Sequence, residues 1–103
     1  MAAPAAADPR FLPGTEDVPL MPALQVASDQ DVVFDEPEGR IIDVSARGPV
    51  TRKDVAKFYA DSLPQLGWKV AGPNRFERGG ERLSLRFQGP DGKLLVGFTL
   101  SPL

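Results

Sequence analysis

Residues 51–68, TRKDVAKFYADSLPQLGW, combine helical periodicity with a signal at each end. Val55, Phe58, Tyr59, Ser62 and Leu66 recur at i, i+3, i+4, i+7 and i+11, with Leu63 beside them. That spacing predicts one apolar stripe on a helix. Thr51 can accept from a backbone N–H of the first turn, and Asp54 completes a pair resembling a capping box. Pro64 has no N–H to donate, so the helix should kink or stop near Leu63. Gly67 suits the left-handed residue that closes many helices. A single helix with a single apolar face needs a second layer, and the flanking sequence has the alternation of a sheet.

Two strand candidates precede the helix. Val32 and Phe34 alternate with polar neighbours, as do Ile42, Val44 and Ala46. A three-residue loop, Pro37-Glu38-Gly39, would place Glu36 opposite Arg40, Phe34 opposite Ile42 and Val32 opposite Val44. Gly48-Pro49 should end this hairpin. After the helix, Trp68 to Ala71 is a short strand candidate stopped by Gly72-Pro73. The Gly79-Gly80 pair marks a tight hairpin that sets Glu77 opposite Arg82 and Phe76 opposite Leu83. A four-residue loop, Gly89-Pro90-Asp91-Gly92, would pair Phe87 with Leu94, Leu85 with Val96 and Leu83 with Phe98. Phe76, Leu83, Leu85, Phe87, Leu94, Val96, Phe98 and Leu100 then share one face. The predicted fold is a two-layer α+β domain, in the order ββαβ(β)ββ, with one amphipathic helix packed on an antiparallel sheet.

The domain is expected to occupy residues 31–103. Residues 1–17 are Ala- and Pro-rich with few large apolar groups, which predicts a disordered tail. Residues 18–30 are different: Val18, Leu20, Met21, Leu24 and Val26 are apolar and two prolines interrupt any helix. They read either as an extended strap packed on the domain edge or as a segment offered to a partner. Charge divides along the same line. Residues 1–38 hold eight acids and one base, whereas residues 39–103 hold eleven bases and six acids. An acidic front on a basic body favours either contact between the two or an oppositely charged partner.

The chain has no cysteine and no histidine. Disulfides, thiolate nucleophiles, cysteine-held metals and the Ser-His-Asp arrangement are thereby excluded. Ser28, Ser45, Ser62, Ser84 and Ser101 are isolated, and no motif pairs one with Lys53, Lys57, Lys69 or Lys93. The glycines at 79–80 and 89–92 fit hairpin turns, not a phosphate loop running from a strand into a helix. Asp29, Asp31, Asp35, Glu36 and Glu38 are dense but lack the spacing of a calcium loop. No catalytic residue, cofactor or metal is expected. No apolar run is long enough for a membrane span, and no signal peptide is visible. A periplasmic or envelope setting would follow only if a signal had preceded Met1; otherwise the setting is cytoplasmic.

The basic residues carry the binding expectation. Arg82 and Arg86 should project from the sheet face opposite the helix, with Ser84 between them and Leu95 across from Arg86. Together with Leu20, Met21 and Leu24 of the strap, Arg82, Arg86 and Leu95 are the candidate contacts for a protein partner. The competing reading is a solvated face with a Glu77–Arg82 pair worth at most about 1 kcal/mol. Nucleic acid is disfavoured because Phe76, Phe87 and Phe98 fall on the buried face, leaving no exposed aromatic platform for bases.

Phe58-Tyr59, Ser62-Leu63 and Leu66-Gly67-Trp68, following a hairpin and preceding an antiparallel meander, resemble small uncharacterised proteobacterial proteins, many of them exported. The resemblance covers roughly Asp31 to Leu100 and implies the α+β fold and a cell-envelope setting. It implies no catalytic or binding residue. The expected function is a small non-catalytic protein-interaction module. The alternative is a small-ligand or anionic-surface binding domain of the bacterial envelope.

Overall fold

A computed structural model of the chain describes residues 11–15, 17–27, 32–36 and 39–103. Among the described residues one α-helix, α1 (Arg52–Ser62), lies on a single antiparallel sheet. The strands are β1 (Gln25–Val26), β2 (Val32–Glu36), β3 (Gly39–Gly48), β4 (Lys69–Gly72), β5 (Arg75–Arg78), β6 (Glu81–Gln88) and β7 (Leu94–Pro102). Across the sheet the order is β1-β3-β7-β6-β5-β4, and β2 pairs with the first half of β3. The α+β class and the two layers are those the sequence predicts.

The helix begins and ends for the expected reasons. Thr51 is extended and its hydroxyl accepts from the Asp54 N–H at 3.0 Å. The α-helix closes at Ser62. Pro64–Leu66 tighten into one 3₁₀ turn, and Gly67 takes the left-handed conformation at φ 93°. That tightening moves Leu66 off the stripe, leaving it 41% exposed, because a 3₁₀ turn advances fewer residues per revolution. The buried line is instead Val55, Tyr59 and Leu63, with Phe58 half-buried beside it.

Two hairpins depart from the expected register. In the first, Glu36 pairs with Gly39, Phe34 with Ile41 and Val33 with Ile42. The connection is therefore two residues, one shorter than expected; Pro37 and Glu38 themselves, with Asp29 and Asp31, lie outside the described residues. In the last, Leu83 pairs with Leu100, Leu85 with Phe98 and Phe87 with Val96. This is a shift of two, which keeps each side chain on its predicted face. The middle hairpin is as predicted: Glu77 pairs with Arg82 and Phe76 with Leu83. Gly79 and Gly80 both have positive φ, 56° and 84°, as a two-residue turn of this hand requires.

The inner face of the sheet is wider than one helix can cover. An 11-residue helix is about 16 Å long, whereas strands at ~4.8 Å spacing spread this sheet over about 24 Å. The N-terminal segment covers the remainder. Val18, Leu20 and Leu24 are buried in the same cluster as Tyr59, Trp68 and Phe98. So is Leu12, which corrects the expectation of a disordered tail through residue 17. Leu12 N–H donates to the Val18 carbonyl at 2.9 Å, and a bridge joins Phe11 to Pro19. Residues 1–10 and 16 lie outside the described residues. The strap is thus part of the core, not an appendage to a domain that starts at 31.

Candidate functional site

Tyr59 and Trp68 fix the strap to the helix layer. The Tyr59 hydroxyl donates to the Pro19 carbonyl at 2.7 Å and accepts from the Met21 N–H at 3.1 Å. Trp68 donates its indole N–H to the Asp17 carbonyl at 3.2 Å. Both rings are buried, and Tyr59 packs edge-on against Phe98 with centroids 5.4 Å apart.

A four-charge cluster closes one end of this layer. Asp17 pairs with Arg78 and, at 3.2 Å, with Arg40; Arg40 also reaches Glu81 at 3.0 Å. Arg78 lies over the Trp68 ring and donates to the Leu66 carbonyl. The hydrogen bond to Glu81, the largest cause, raises the Arg40 pKa above its ordinary value against the opposing effect of burial; the charges of Glu81 and Asp17 add to the rise. Of the acidic front, Asp17 thus meets the basic body at Arg40 and Arg78.

The outer face of the sheet is the surface left open. Among the described residues no layer covers it. Its pair Arg82 and Ser101 and its row Ser84, Thr99 and Asp43 are half-buried or exposed. Arg82 pairs with Glu77 at 3.3 Å. Arg86 crosses Gly97, donates to the Thr99 hydroxyl at 2.6 Å and approaches Asp43 at 3.6 Å. Both candidate arginines thus have local acids.

Leu95 sits elsewhere than expected. The register places it between Arg47 and Gln88, not across from Arg86. These three residues line an open hollow of 520 Å³ bounded by Gly48-Pro49, Gly89, Gly92 and Lys93. A smaller hollow of 50 Å³ beside Arg86 and Gly97 continues it along the face. Neither Arg47 nor Lys93 has an ion-pair partner among the described residues. The sequence signal for Arg47 was its odd position in the β3 alternation, which opposes it to the apolar set Ile42, Val44 and Ala46. Its neighbour Leu95 lies across the β3–β7 pairing, which joins strands distant in sequence and has no local signal.

The strap candidates are corrected. Leu20 and Leu24 are buried and hold the strap to the core, so a partner cannot reach them. Met21 is half-buried, with its backbone engaged by Tyr59. Lys53, Lys57, Lys69 and Lys93 are all exposed. No described helix is long and apolar enough to cross a membrane. No family model, curated protein or solved structure matches the chain.

Proposed function

We propose that this protein is a small non-catalytic interaction module that receives a protein partner on the outer face of its sheet. The observation that carries the reading is the asymmetry of the two faces. One is covered by α1 and the strap, and the other presents half-buried Ser84, Thr99, Ser45 and Leu95 beside basic side chains, with no layer over them among the described residues. A continuous accessible sheet surface of small residues can seat a partner without rearranging the core. The four exposed lysines lack the burial that would turn a lysine into a general base, which supports a binding role over a catalytic one.

Affinity capture from native extract tests this, run with the parent and with a Ser45→Trp, Ser84→Trp variant whose outer face is blocked. A partner recovered by the parent and lost by the blocked variant is the expected result. A partner retained by both moves binding off this face. Recovery no different from bare resin with either protein removes the reading.

Arg47 and Lys93, without an ion-pair acid among the described residues, favour one second reading, a small-ligand or anionic-surface binding domain of the cell envelope. Flotation with anionic against neutral vesicles separates it from the first.

A further inference from the structure

We infer that the hollow at the Arg47 end of the outer face is a binding site for an extended acidic peptide segment bearing an apolar side chain. The inference rests on the reading of the outer face as an interaction surface and names what that surface takes.

The first support is charge. Arg40, Arg52, Lys57, Arg78, Arg82 and Arg86 each have an acid within ion-pair distance, and Lys69, which has none among the described residues, borders a hollow that Glu77 also lines. Arg47 and Lys93 flank a single hollow and have none among the described residues. Two cations converging on a concavity favour an anionic occupant, and the low-dielectric walls strengthen that preference.

The second support is shape and lining. Leu95 and Pro49 contribute apolar lining beside the two cations, and Gly48, Gly89 and Gly92 add no side chains of their own. At 520 Å³ the hollow is within the range of ligand-binding clefts. An inorganic anion would occupy a small part of it and leave Leu95 wet. The row Arg47, Leu95, Gln88 crosses three strands, about 10 Å at ordinary strand spacing, which about three extended residues span. An extended chain alternates its side chains, so a carboxylate and an aliphatic group two residues apart would face the hollow together, the carboxylate toward Arg47 or Lys93 and the aliphatic group on Leu95. Bases of a nucleic acid would need an aromatic platform, and none lines the hollow.

Fluorescence anisotropy with labelled peptides tests the inference on the full chain. The probe has a Glu-Ser-Leu-Ser-Glu core, whose Glu and Leu side chains share one face when extended, and two counterparts replace either both Glu residues or the Leu by Ser. The parent should bind the first peptide and bind each counterpart at least about tenfold more weakly. The Arg47→Glu, Lys93→Glu variant should lose binding while its melting curve stays with the parent's, since both side chains are exposed. Lys53→Glu, on α1, should bind as the parent does. Equal affinity for the three peptides, or binding undiminished in the double variant, overturns the inference. So does tighter binding of a short single-stranded oligonucleotide or of anionic vesicles through the same two cations. If the peptides fail while capture still yields a partner sensitive to Ser45→Trp, Ser84→Trp, this site is wrong and the interaction reading stands. If both fail, both readings fall.

Discussion

The hydroxyl of Tyr59 donates to the carbonyl of Pro19 at 2.7 Å, tying the middle of the helix to a strap forty residues earlier. The same oxygen accepts from the Met21 N–H, so one phenol serves two strap backbone groups that lie away from bulk water. Tyr59→Phe keeps the ring against Phe98 and removes only the oxygen. Losing a buried partner leaves those groups unsatisfied at about 1–3 kcal/mol. The expected result is a lower denaturant midpoint with an unchanged slope, because the substitution should not alter the surface exposed on unfolding.

Asp17 should behave as a charged clasp. It is the strap's contact to both Arg40 and Arg78, with its side chain 21% exposed. Asp17→Asn retains size but weakens both charged contacts, at an expected cost of about 1–2 kcal/mol. That difference from the parent should shrink as salt is added, and parallel unfolding curves at low and high ionic strength measure it. The pH dependence has a definite sign. Arg40 is raised by its bond to Glu81, and a base whose folded pKa is raised contributes stability below its unfolded value and loses it only as pH climbs past the folded one. Stability should therefore show no Arg40-linked decline between neutral and mildly alkaline pH.

The helix face predicts a ranking. Leu63 is fully buried, Phe58 is half-buried and Leu66 is largely exposed. Leu63→Ala should cost about 2–5 kcal/mol as a cavity in the core. Phe58→Ala should cost less than the ~3–5 kcal/mol of a fully buried Phe, because part of its ring is already in water. Leu66→Ala should stay within about 0.5 kcal/mol of the parent. Melting curves of the three variants check the order; a Leu66→Ala loss equal to that of Leu63→Ala would contradict the 3₁₀ turn at Pro64.

The departures from expectation have physical causes. Val32-Val33-Phe34 and Ile41-Ile42 are runs of adjacent apolar residues, so two registers one residue apart both set apolar against apolar, and the pattern could not choose. In the last hairpin a shift of two leaves every side chain on its face. The alternation from Leu83 to Leu100 was therefore correct about the core and silent about which neighbours meet. That silence set Leu95 opposite Arg86 in place of Gln88; its pairing with Arg47 belongs to β3 and β7, which no hairpin joins. Gly79-Gly80 was legible because two successive positive φ angles admit few other residues. The strap's apolar content was legible too, but not its seat, because Asp17 finds Arg40 and Arg78 at separations of 23 and 61 residues. No local pattern encodes such distances.

Two glycines in the sheet should answer the same substitution oppositely. A Cβ at Gly48 would stand 2.3 Å from the Ala23 carbonyl oxygen and 3.3 Å from the Leu24 Cα. Both are backbone atoms of the strap, which the buried Leu24 side chain holds in place. Gly48→Ala must therefore push the strap away from β3, and overpacking of this kind costs about 1–3 kcal/mol. A Cβ at Gly97 would meet the Arg86 guanidinium at 2.7 Å. That is the far end of an exposed, flexible side chain, which can swing off the sheet and give up its bond to Thr99. Gly97 does not have the positive φ that strains other residues, and alanine restricts the unfolded chain by about 0.4–1 kcal/mol in favour of folding. Gly97→Ala should consequently melt near the parent or slightly above it, whereas Gly48→Ala should melt lower. Limited proteolysis distinguishes the causes. Cleavage within residues 18–27 should accelerate in Gly48→Ala alone, because only there is the strap displaced from the sheet it covers.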